Sequence, residues 1–108
     1  MTDPKTIKRI ITDDDRFKLV GVIVKGNETT IYFCPRIPVL RSFDLEERVR
    51  NLFHEVPEIT SIISTHGGVV MMTCSERNND VKIPPKSIHV QCFINEALAS
   101  SDLNSTFR

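Results

Sequence analysis

At 108 residues the chain is the size of one ordinary domain with a single core. Its 14 Lys and Arg balance 14 Asp and Glu, and 40% of its residues are hydrophobic, close to the globular average. These figures exclude a collagen-like chain, a disordered polar tail and a strongly basic nucleic-acid arm.

Residues 1–16 are polar, with Ile7, Ile10 and Ile11 as apolar anchors. Their i, i+3, i+4 spacing predicts a short helix with Pro4 in its first turn, and it should stop before the three acids Asp13, Asp14 and Asp15, because they oppose the helix dipole at its C-terminus. The segment has no apolar signal-peptide core, and the longest uncharged apolar run, residues 19–24, is far short of the roughly 20 residues that span a bilayer. No membrane association is expected.

Residues 17–24 are rich in β-branched side chains and apolar on both faces apart from Lys18, which predicts a central strand. A turn at 25–28 returns the chain as a second strand over 29–34. Residues 35–41 contain Pro35 and Pro38, which lack the N–H a central strand needs, so this stretch reads as an extended connector. The clearest element follows, a helix over 44–56. Leu45, Val49, Leu52, Phe53 and Val56 form its apolar stripe, Asp44 and Glu47 suit a capping box, and Pro57 ends it.

Residues 58–65 predict a strand, Gly67 and Gly68 a tight turn, and residues 69–75 the returning strand. Residues 76–80 read as a polar loop, and Pro84-Pro85 as a break. The last stretch supports a strand to about Ile94 and then a short helix, and the Ser/Asn/Asp-rich residues from 100 read as a frayed tail. The domain proper is therefore residues 17–99, between an N-terminal polar segment or short helix (1–16) and a tail (100–108).

The predicted class is α+β: a mostly antiparallel sheet of four to five strands with one main amphipathic helix, in the order (α)-β-β-α-β-β-β-(α). This element order is similar to that of β-grasp, ubiquitin-like domains. With its leading helix it is also compatible with roadblock-type dynein light chains, whose five-stranded sheets dimerise.

Three cysteines, Cys34, Cys74 and Cys92, are an odd number at wide spacing, which suits reduced thiols in the cytoplasm or nucleus rather than a disulfide framework. His89 and Cys92 have a spacing that could hold zinc, but a structural site wants four ligands, and a strand would turn these two to opposite faces. The 13–15 acids fail the calcium-loop pattern, with Lys18 at position six and Val24 at position twelve. Gly67-Gly68 lies in a hairpin and not before a helix, so it is no phosphate loop. Cys74 sits beside Met71 and Met72 and reads as core filling. No metal, cofactor or catalytic role is expected.

Two binding readings remain. Protein–protein interaction would use Arg36, Ile37, Val39, Leu40 and Arg41 of the stiff connector, where docking loses little entropy, together with Met71 and Met72 if their strand lies at a sheet edge. A subunit, adaptor or homodimer is then expected, also because one helix cannot cover strands that are apolar on both faces. The alternative is a small RNA-binding domain using connector residues 35–43, with Arg36, Arg41, Arg48 and Arg50 on phosphates and Tyr32 or Phe33 as stacking platforms. Asp44, Glu46 and Glu47 interleave with those arginines and weaken that reading.

Overall fold

The computed structural model describes residues 3–60, 63–75 and 86–106. Helix α1 (Pro4–Asp13) begins where the Asp3 carboxylate accepts a hydrogen bond from the Thr6 amide at 2.7 Å, with Pro4 at the position that needs no donor. Ile7 and Ile11 are its buried stripe. The helix takes in Asp13, one residue past the expected stop before the acids, and ends there. Asp14 is its C-cap, and its carboxylate turns forward onto the Arg16 guanidinium at 2.8 Å.

Strands β1 (Phe17–Lys25) and β2 (Glu28–Pro35) form an antiparallel hairpin whose turn uses Gly26 at positive φ. Beyond them come helix α2 (Ser42–Leu52), the one-turn helix α3 (Pro57–Thr60), strands β3 (Ile63–His66), β4 (Val69–Ser75) and β5 (Ser87–Phe93), and helix α4 (Glu96–Thr106). The sheet order is β1-β2-β5-β4-β3, with β2 and β5 parallel and every other pair antiparallel. The α+β class, the mostly antiparallel five-stranded sheet and the element order agree with the sequence reading.

The elements differ from expectation in four places. First, among the described residues β1 is an edge strand and not a central one, since it pairs there only with β2. Its two apolar faces are explained by cover from α1 on one side and α4 on the other.

Second, α2 starts earlier and ends sooner than 44–56. Its N-cap is Arg41, which makes no side-chain cap bond, and the Leu45 amide closes the first turn onto the Arg41 carbonyl at 3.2 Å. Asp44 therefore lies inside the first turn, where its charge suits the helix dipole, and not in a capping box.

Third, residues 57–60 are helical and not the start of a strand. Pro57 opens the turn, and the Ile59 and Thr60 amides both bond back to the Val56 carbonyl. Ser61 and Ile62, also assigned to that strand, lie outside the described residues, as do the 76–80 loop and Pro84-Pro85.

Fourth, residues 100–106 are not a frayed tail but the body of α4. The Asn95 side chain caps this helix by accepting from the Leu98 amide at 2.9 Å. Ala99 is buried, Leu103 packs on the backbone of Gly21, and Thr106 Oγ1 meets the Tyr32 hydroxyl at 3.4 Å.

The sheet thus separates two apolar layers. On one face, α1, α2 and α3 cover Phe17, Ile31, Phe33, Val70 and Val90. Phe33 is central there, tilted against Phe17 at 5.6 Å and edge-on to Phe53 at 6.0 Å. On the other face, Ala99 and Leu103 of α4 cover Ile23, Tyr32 and Phe93. This second helical layer removes one ground for expecting a partner, because both apolar faces find cover within the chain. Among the described residues, no helix is long and apolar enough to cross a membrane.

Candidate interaction surface

The connector between β2 and α2 is pinned at two points. The Arg36 amide donates to the Arg16 carbonyl at 2.9 Å, and the Val39 amide donates to the Ile94 carbonyl at 3.3 Å. The backbone bends at Arg36 and Ile37 and again at Leu40, and this path turns Val39 inward while leaving the residues on either side of it outside. Val39 goes inward and is 7% exposed, in the same core cluster as Leu45, Val49 and Leu52 of α2. Its neighbours go outward: Ile37 is 78% exposed, Leu40 96% and Phe43, in the first turn of α2, 73%. Among the described residues only Val24 and Leu98 are also large, apolar and exposed, and both lie far along the chain.

Beside this apolar stretch lies a cleft of about 630 Å³ lined by Asp15, Arg16, Arg36, Ile37 and Arg48. The hairpin register builds it. Phe17 pairs with Pro35, which sets Arg16 beside Arg36 at the sheet end, and α2 brings Arg48 across. Arg16 is neutralised by Asp14. Two further cations nearby are paired as well, Lys18 with Glu96 at 2.7 Å and Arg50 with Glu46 at 3.2 Å. Arg36 and Arg48 form no ion pair among the described residues.

The residues assigned to protein interaction therefore separate. Arg36, Ile37, Leu40 and Arg41 share the exposed connector, while Val39 is core. Met72 is 1% exposed, and β4 lies between β3 and β5, so the edge reading of Met71 and Met72 fails; Met71 is half-buried on the opposite face of the sheet.

The RNA-binding set loses its platforms. Tyr32 and Phe33 are buried, and Tyr32 stacks on Phe93 at 6.0 Å beneath α4 with its phenol pKa raised by burial. Arg50 is spent on Glu46 and on the Thr60 carbonyl at 3.0 Å. Arg36, Arg41 and Arg48 remain exposed.

All three cysteines are buried, and desolvation raises each thiol, Cys74 to about 11 and Cys92 well above the usual range. His89 bonds to Thr73 at 3.3 Å on the opposite face of β5 from Cys92. Among the described residues, no group of three or more His, Cys, Asp or Glu side chains is placed to hold a metal. The acids at 13–15 line a separate cleft with Arg9 and Glu55.

Sequence reasoning missed Arg16, because its approach to Arg36 and Arg48 depends on a register that no local pattern encodes. Neither a family model, nor a curated protein, nor a solved structure matches the chain.

Proposed function

We propose that the chain is a non-enzymatic protein–protein interaction module, a subunit or adaptor of a larger intracellular assembly, and that it engages its partner through connector residues 36–43. One observation carries this reading: Ile37, Leu40 and Phe43 present large apolar side chains to solvent from a backbone already fixed by two hydrogen bonds and two prolines. Scattered single hydrophobics need no explanation, but three in one short rigid segment form a patch of the kind that marks interaction sites. Because the segment is pre-ordered, docking costs little conformational entropy. A cytoplasmic or nuclear location accompanies the proposal, since three unpaired buried thiols suit a reducing compartment.

Photocrosslinking in an extract of the native source tests the reading. A photoreactive side chain at position 40 should give discrete adducts that disappear when Ile37→Ser and Phe43→Ser are combined with it. The same group at position 24, where Val24 is also exposed, should give none of them. Adducts that form equally from both positions, or that survive the two serine substitutions, refute the proposal. An adduct of twice the chain mass identifies a homodimer, and an RNA adduct returns the nucleic-acid reading.

A further inference from the structure

The charges around the patch specify what kind of segment fits it, given the interaction reading above. Arg16, Lys18 and Arg50 each hold a carboxylate of their own chain. Arg36 and Arg48 face the same cleft with none among the described residues, and Arg41 is exposed at the start of α2. Guanidinium groups without a partner beside exposed apolar side chains match carboxylates interspersed with apolar anchors.

We propose that the occupant of this surface is an acidic protein segment with apolar anchors, its carboxylates meeting Arg36 and Arg48 in the cleft and its apolar side chains covering Ile37, Leu40 and Phe43. The cleft of about 630 Å³ has room for several side chains. A polyphosphate backbone fits less well. Asp15 lies inside the cleft, Asp44 and Glu47 are exposed on α2, and the aliphatic Ile37 and Leu40 offer no stacking face to a base. A basic segment would leave Arg36 and Arg48 facing like charge.

Amide chemical shifts of the ¹⁵N-labelled chain, followed during titration, test this directly. The probes are a synthetic peptide alternating Glu or Asp with Leu and Phe, the same peptide with Lys in place of every acid, the same peptide with Ser in place of every apolar residue, and poly(U). The acidic apolar peptide should shift residues 36–43 and Arg48, and its affinity should fall as salt rises. Combining Arg36→Glu with Arg48→Glu should weaken it about tenfold or more, since each exposed charge pair is worth several-fold and reversal adds repulsion. Combining Ile37→Ser with Leu40→Ser should weaken it without changing the salt dependence.

Equal binding of the acidic and lysine peptides overturns the charge assignment and leaves the patch as a purely apolar interaction site. Binding of the serine peptide as tightly as the original overturns the apolar half. Stronger binding of poly(U), or no shift at the connector with any peptide, overturns the proposal. The crosslinking at position 40 then decides separately whether the surface binds a protein at all.

Discussion

Val39 and Leu40 are adjacent, similar in chemistry and opposite in environment, and that contrast yields a sharp stability test. Val39 is 7% exposed and belongs to the main core cluster, whereas Leu40 is 96% exposed. Val39→Ala removes two buried methyl groups. At about 0.8 kcal/mol each in transfer free energy, plus a term for the cavity left behind, the cost is about 2 kcal/mol. Leu40→Ala deletes more carbon from a side chain that water already surrounds, and it should change stability by less than about 0.5 kcal/mol. The chain has no Trp, so urea unfolding followed by far-UV circular dichroism is the suitable assay. With a urea slope of about 1–2 kcal/mol per molar, Val39→Ala should lower the midpoint by about 1–2 M, and Leu40→Ala should leave it in place. Equal losses for the two variants, or no loss for Val39→Ala, would show that the connector does not hold Val39 inward and Leu40 outward, and the exposed patch would fall with it.

Further predictions concern the rest of the fold. Gly21→Val should cost about 1–3 kcal/mol, because a Cβ there would lie 2.7 Å from Leu103 Cδ2; adding Leu103→Ala should recover much of it, and a double-mutant cycle with no coupling would contradict the contact. The thiols should alkylate slowly at neutral pH. Because burial raises Cys74 from 9.0 to about 11, the folded state favours the neutral thiol, so its contribution is complete below pH 9 and is lost as pH rises from there towards 11. Thermal melts should show that alkaline loss diminished in Cys74→Ala, and an unchanged profile refutes the assignment. Asp3 behaves in the opposite sense. Its hydrogen bond to Thr6 lowers its carboxylate below the ordinary 3.8, so the cap stabilises above that pH and is lost as pH falls through the lowered value. Asp3→Ala should melt lower than the wild type at neutral pH, and the gap should close in acid; a gap that persists there argues against the cap.

Much of the fold was legible because its driving patterns are local. The α2 stripe of Leu45, Val49 and Leu52 follows helical periodicity, and all three residues are buried. The connector was legible in large part too, since Pro38 excludes a central strand there, although Pro35 closes β2 rather than opening the connector. What escaped depended on distant partners. Periodicity reports whether a strand's faces are covered and is silent on its edges, so β1 read as central. Helix α4 has few apolar residues, and its order comes from Ala99, Leu103 and Thr106 meeting the sheet. The extent of α2 was set by turn bonds such as that from the Leu45 amide to the Arg41 carbonyl, which side-chain type does not reveal. At the candidate site, composition named Arg36, Ile37 and Leu40, but only the hairpin register brought Arg16 alongside, and only the backbone path decided that Val39 turns inward.

The parallel pairing of β2 with β5 also governs how the molecule comes into being. It joins residues as distant in the chain as Glu28 and Ser87, and α2, α3, β3 and β4 all lie between them. Such pairing forms late, because closing so long a loop must precede any gain from the contacts. During synthesis the β1–β2 hairpin leaves the ribosome with the inner edge of β2 open, and it stays open until β5 has been made. A new chain therefore exposes an unpaired edge next to Ile31 and Phe33, and this interval is when it is most prone to aggregate and most in need of a chaperone.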